Sequence, residues 1–184
     1  MWGGDLSLPL TGALEFIMSN NIFVCSDHHL GHKNIITFKD YDGNLIRPFS
    51  SMEEMHDIII ERHNKVIRPQ DKVYYLGDVA TNKGGLELLK YMNGHKRLVR
   101  GNHDIFKLKD YKSYFEEIYG VRVFADYGMV LTHIPIHKEC MSRWKLNIHG
   151  HLHANIIKDS QYLNVSLERI DYTPVSIEEI RCNM

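Results

Sequence analysis

Five times in this chain a short apolar run stops at residues that ligate metals. Residues 22–25 run into Ser26-Asp27-His28-His29, 73–76 into Gly77-Asp78, and 96–99 into Arg100-Gly101-Asn102-His103-Asp104. Residues 129–131 run into Thr132-His133, and 146–148 into Gly150-His151-Leu152-His153. Buried strands of parallel sheets read as short apolar runs, and α/β proteins bind ligands at the carboxyl ends of such strands. Glycine beside the polar residues lets the backbone turn sharply there. One strand end of this kind is common; five in order demand a fold that gathers strand ends at one place.

The stretches between them fit that demand. Ser51 and Glu54 have capping-box spacing ahead of a helix expected to bury Met55, Ile58, Ile59 and Val66. His56 and His63, seven apart on the same helix, read as a solvated face. Leu86 to Met92 reads as a second helix leaving at Asn93-Gly94, residues 111–118 as a third, and 122–124 with 129–131 as a hairpin across Asp126-Tyr127-Gly128. The layout expected is βαβ units first and mostly antiparallel strands later, with 162–167 as a further strand. Residues 1–17 are expected to be an N-terminal extension, from upstream or cloning sequence, and 18–184 to form one domain.

Charge narrows the class of partner. With 22 basic against 23 acidic residues, nothing global recruits nucleic acid or an anionic membrane, so affinity for phosphate must be local. No apolar run reaches the roughly 20 residues a membrane helix needs. Cys25, Cys140 and Cys182 are scattered, odd in number and without CxxC spacing, which fits reduced thiols in the cytoplasm.

Asp27 and His29 are two apart on a segment read as extended, so their side chains point the same way, and His151 with His153 repeats that spacing. Asp78, His133 and the Asn102 amide oxygen complete seven nitrogen and oxygen donors. Seven are too many for one tetrahedral ion. They suit two ions sharing a carboxylate, the arrangement that clamps attacking and leaving oxygens in phosphoryl displacement. So many imidazoles argue against magnesium or calcium; manganese is the first expectation, with iron, zinc and nickel as alternatives.

In order, Asp27-His28-His29, Gly77-Asp78, Gly101-Asn102-His103-Asp104, His133 and Gly150-His151-Leu152-His153 resemble the DxH, GD, GNH(D/E), H, GHxH pattern of the calcineurin-like metallophosphoesterases. The likeness spans residues 22 to about 170 and implies an α/β fold, a four-layer αββα sandwich with mixed sheets. It also implies that Asp27, His29 and His153 hold one ion, that Asp78 bridges, and that Asn102, His133 and His151 hold the second. His103 resembles the family's catalytic histidine, and the reaction implied is in-line attack on phosphorus by a hydroxide between the metals. His32 and His137 are candidate substrate contacts, while His28, the variable residue of its motif, is expected to point away.

Gly77-Asp78-Val79-Ala80-Thr81-Asn82 departs from the GDxVDRG of Ser/Thr protein phosphatases, and the segment 26–34 is closest to small bacterial and phage-type phosphoesterases. The expected activity is therefore hydrolysis of a small phosphate ester, a diester before a monoester, with a nucleotide among the candidate substrates. A nuclease of the Mre11 or SbcD type and a non-catalytic metal-binding scaffold are the alternatives.

Overall fold

The computed structural model describes residues 21–40 and 42–184; the expected extension over 1–17 lies outside them. β1 (Ile22–Cys25), β2 (Lys72–Tyr75), β3 (His95–Val99) and β4 (Glu117–Tyr119) form a parallel sheet in the order β4-β3-β2-β1. β9 (Val175–Ser176) closes its other edge antiparallel to β1. The second sheet has the order β5-β6-β7-β8, from β5 (Arg122–Phe124), β6 (Met129–Leu131), β7 (Leu146–His149) and β8 (Tyr162–Asn164).

Alternation along β1 and β2 divides the core. Phe23, Cys25, Val73 and Tyr75 face α1 (Met52–Val66), α2 (Lys83–Glu87) and the 3-10 turn Leu88–Tyr91 that follows, where Met55, Ile59, Leu86 and Leu89 are buried. Val24, Tyr74 and Leu76 face the second sheet and pack with Met129, Leu131, Leu146 and Ile148. All are buried, Phe23 at 8% and Leu146 at 6% being the most exposed, so the two faces of one sheet hold two apolar clusters. Segment 134–145, with a 3-10 helix over Lys138–Arg143, lies over the outer face of the second sheet: the Ile136 N–H donates to Asn147 Oδ1 (3.0 Å) and Tyr162 to the Ile136 carbonyl (2.9 Å). Two mixed sheets packed face to face, with helices against the first, are the α/β sandwich expected.

Three local expectations fail, each for a physical reason. The second sheet is mostly parallel: β6 pairs parallel with β7 and β7 with β8, leaving the β5–β6 hairpin as its one antiparallel pairing among the described residues. The connections after β6 and β7 are long enough for parallel crossovers, which short turns would not be. Residues 117–119 are a strand instead of helix, because Ile118 and Tyr119 suit a sheet edge and pair with Leu98 and Val99; the helix before them, α3, covers only Leu108–Tyr111. His63 is buried, not solvated, its Nε2 against the Asn93 carbonyl (2.9 Å), and Ile58 and Val66 are only half-buried. Ser51 does cap α1, accepting the Glu54 N–H at 3.1 Å, while Glu54 reaches back to the Ser50 N–H (2.7 Å), one residue earlier than the usual capping box. α4 (Ile177–Cys182) ends the fold, burying Ile177 and Ile180 in the inter-sheet cluster.

Candidate metal centre

Hydrogen bonding between β1 and β2 continues past the strand ends into the loops. The Asp27 N–H donates to the Gly77 carbonyl (3.1 Å), the His29 N–H to Asp78 (2.9 Å) and the Leu30 N–H to Val79 (2.9 Å). Opposite them, the Gly150 N–H donates to the His133 carbonyl (3.0 Å). The two halves are joined where the His151 N–H donates to Asp27 Oδ2 (2.9 Å) and the Leu167 N–H to the Ser26 carbonyl (3.1 Å).

The side chains that converge here do so by a different backbone from the extended one expected. Asp27 (φ 59°), His29 (φ 48°), Asp78 (φ 53°), His151 (φ 70°) and His153 (φ 49°) are all left-handed, five of the seven non-glycine residues with positive φ among the described residues. Each such residue costs roughly 1–2 kcal/mol, and strain of this kind persists only where surroundings over-determine it and where function uses it. The hydrogen bonds just named are those surroundings. The pairs 27/29 and 151/153 thus share a direction through paired left-handed turns, not through strand alternation.

Two groups result, each with ligand atoms within 4.8 Å of one another: Asp27, His29 and His153, and Asp78, His133 and His151. Asp78 stands between them. Its Oδ2 lies 3.7 Å from His29 Nε2 and 3.3 Å from His133 Nε2, while its Oδ1 accepts the His103 N–H (2.8 Å). Asn102 Oδ1 is 2.8 Å from His133 Nε2, so all seven donors anticipated in the sequence meet in one place. The chemistry of the set fits cations. Asp27 Oδ1 and both nitrogens of His29 are buried without a hydrogen-bond partner, and an orphaned carboxylate oxygen facing an orphaned imidazole at 3.8 Å is costly until a positive ion lies between them.

Electrostatics follow from burial and from these neighbours. Burial first, then the Arg47 charge, lowers the His29 imidazole to about 3, which keeps the ring neutral with one nitrogen able to ligate. Burial pushes the Asp78 carboxyl up, but His133 and the His103 N–H outweigh it, and the net shift is downward. His133 is raised, its desolvation being outweighed by Asp78.

His103 is exposed at the mouth, its ring centroid 5.7 Å from that of His29. His32 sits edge-on to His29 at 5.9 Å and to Phe38 at 5.5 Å. His28 turns to the other side of the sheet and packs on Tyr75 at 4.8 Å. His137 is not among the residues gathered here: it is exposed, and its Nδ1 accepts the Glu139 N–H at the start of the 3-10 helix (3.3 Å).

Some supporting residues are not apparent from sequence. The Asp104 carboxylate accepts the N–H groups of Asp78 (2.9 Å), Val79 (3.1 Å) and Gly101 (2.8 Å), tying the loop after β2 to the loop after β3. Ser166 donates to Asp27 Oδ2 (2.9 Å). Arg47, fully buried, donates to the carbonyls of Asp27 and His28 and to Glu168 Oε1 (2.7 Å), which also faces His153 Nδ1 (3.0 Å). Glu168 follows an expected strand just as the ligands follow theirs, a signal that could have singled it out; Arg47, in a turn-rich stretch, offered none.

A family model described as calcineurin-like phosphoesterase matches residues 21–177. The chain belongs to that family. Among relatives of this calcineurin-like phosphoesterase, the uncharacterized protein MJ1445 of Methanocaldococcus jannaschii is 35% identical over 170 residues, covering 86% of this chain and 88% of the relative. The gene 66 protein of Mycobacterium phage L5 is 29% identical over 175 residues, covering 76% and 80%. A crystal structure of AQ665 from Aquifex aeolicus, a protein of unknown function, superposes with a TM-score of 0.68 at 26% identity, covering 90% of this chain and all of that one. No helix among the described residues is long and apolar enough to cross a membrane.

Proposed function

We propose that this calcineurin-like phosphoesterase hydrolyses a small phosphodiester, in preference to a monoester, at a centre of two divalent transition-metal ions, manganese first. The observation that carries the reading is Asp78 Oδ2, which faces an imidazole nitrogen of each donor group at 3.7 and 3.3 Å. Asp27, His29 and His153 would hold one ion, Asn102, His133 and His151 the other, and Asp78 both. Two cations bound there would make water acidic enough to yield a nucleophile near neutral pH and would neutralise charge on the phosphoryl oxygens.

The chain's own residues supply the rest. The His103 N–H holds Asp78 Oδ1, so Oδ2 keeps one orientation toward both groups. The His103 ring, exposed at the mouth and near His29, would protonate the departing ester oxygen from a ring N–H or hydrogen-bond the phosphoryl oxygens as charge builds on them. His32 is the substrate contact this arrangement favours. Its ring lies edge-on to the donor His29, and Phe38, 44% exposed, packs on its other side. An exposed aromatic ring beside His32 and the donors suits a second ester arm such as a nucleoside, which is the support for a diester. Two hollows, one of about 790 Å³ lined by Tyr127, Lys145 and Tyr162 and one of about 520 Å³ lined by Lys33, His56 and Asn82, contain none of the donors. The three free cysteines support a reducing, cytoplasmic setting.

Metal-stripped protein assayed on a chromogenic phosphodiester and the matching monoester, with manganese, nickel, zinc or magnesium returned singly, tests the proposal. Metal-restored hydrolysis faster on the diester is expected. Hydrolysis only of the monoester would overturn the substrate assignment, and none on either ester while two ions bind would favour the scaffold.

A further inference from the structure

The two groups of ligands are not supported alike. His133 Nδ1 lies 2.8 Å from the Leu76 carbonyl, a neutral acceptor, so that nitrogen carries a proton and Nε2 is the one left to face an ion. His153 Nδ1 lies 3.0 Å from Glu168 Oε1, a carboxylate whose side chain is only 3% exposed. The same oxygen accepts from Arg47 Nε at 2.7 Å, and the Arg47 guanidinium, with no exposed surface, reaches on to the carbonyls of Asp27 and His28. Glu168 and Arg47 therefore link the loop bearing His153 to the loop bearing Asp27 and His29, all three members of one donor group. Among the described residues no carboxylate comparably backs the imidazoles of the other group: His133 Nδ1 meets a carbonyl, and His151 is placed through its backbone N–H on Asp27.

A buried ion pair is a weak source of net stability, since desolvation of both charges offsets their attraction. Its geometry here does something more specific. A carboxylate behind a metal-binding imidazole fixes the tautomer, orients the ring and raises the basicity of the nitrogen facing the ion.

We propose that Glu168, seated on Arg47, is a positioning residue that makes the site of Asp27, His29 and His153 the tighter of two unequal metal sites, with Arg47 aligning the Asp27 loop to it. This rests on the two-ion reading above. Ions then enter in order, the first at the Glu168-backed group and the second at the group of Asp78, His133 and His151.

The test is calorimetric titration of the metal-stripped full chain with Mn²⁺ alone, comparing wild type, Glu168→Gln and the double variant Arg47→Met/Glu168→Met. Glutamine keeps the size and a hydrogen-bond acceptor but removes the charge. The double variant removes both charges together and so keeps the core filled without an unpaired one. Expected are two separable Mn²⁺ affinities in wild type and, in both variants, a loss of about 10- to 100-fold in the tighter one only. A pair that merely stabilised the fold would move the melting temperature and leave both affinities unchanged, and that result overturns the inference, as does an equal fall at both sites. Fewer than two Mn²⁺ bound by wild type would instead remove the two-ion reading, and the inference with it.

Discussion

Replacing Gly101 by alanine probes how tightly the bridging carboxylate is confined. A Cβ added at Gly101 would sit 2.6 Å from the Asp78 backbone nitrogen and closer still to the Asp78 side-chain oxygen. Ordinary carbon contacts begin near 3.5 Å, so about 0.9 Å must be found somewhere. The backbone cannot give it cheaply, because the Asp78 and Gly101 N–H groups are both pinned to Asp104 Oδ2, at 2.9 and 2.8 Å. The Asp78 backbone must therefore shift against those bonds, and its carboxylate, nearer still to the new Cβ, must swing away by several times the ~0.2 Å that metal–ligand distances tolerate. Overpacking of this kind costs about 1–3 kcal/mol, less than the 5–15 kcal/mol typical of a domain, so the variant folds. Expected for Gly101→Ala are a fall in melting temperature on the order of 5 °C, at least about ten-fold weaker Mn²⁺ binding, and a loss in turnover on the order of 10². Gly120→Ala is the control, since its Cβ meets nothing within 4 Å. Calorimetry, thermal melts and phosphodiester hydrolysis on both variants provide the comparison. If Gly101→Ala bound two ions as tightly as Gly120→Ala, the confinement deduced for Asp78 would be wrong.

Other expectations follow from the same geometry. His103→Ala keeps the backbone N–H that holds Asp78, so metal content stays at the wild-type value while turnover falls by a factor on the order of 10² to 10⁴; metal analysis beside rate measurements checks this, and a parallel loss of metal contradicts it. Burial lowers the His63 imidazole from its ordinary 6.5 to about 4. The unfolded chain takes up that proton as pH falls below 6.5 while the folded chain does not, so this contribution is complete above 6.5 and declines toward 4, by on the order of 3 kcal/mol. His63→Gln, which can still donate to the Asn93 carbonyl, should flatten that decline; urea midpoints across the window that fall equally in both proteins would refute it. Cys25 is fully buried, with its thiol pushed far up by desolvation, whereas Cys140 and Cys182 are exposed. Alkylation of native protein should label those two and leave Cys25 for the denatured chain, and native labelling of Cys25 would count against the packing of β1.

Sequence located the candidate donors better than it showed how they are held. A parallel sheet exposes its strand ends at one edge, so glycine, aspartate, asparagine and histidine after apolar runs were enough to collect Asp27, His29, Asp78, Asn102, His133, His151 and His153. The left-handed turns at five of these escaped because no local preference selects them: aspartate and histidine adopt them only since long-range bonds, such as the His29 N–H on Asp78 and the His151 N–H on Asp27, leave no other path. The parallel β6–β7–β8 pairing was hidden for a related reason, namely that an apolar run of three or four residues carries no sign of its partner's direction. Arg47 and Glu168 lie 121 residues apart, and only the folded chain shows that each serves the same donor group.

Hydrolysis followed during stepwise addition of Mn²⁺ to the stripped protein addresses the two-ion centre most directly. With Asp78 serving both donor groups, the phosphodiester should remain intact through the first equivalent and be cleaved in proportion to the second. Full activity at one equivalent, or none after two have bound, would contradict it.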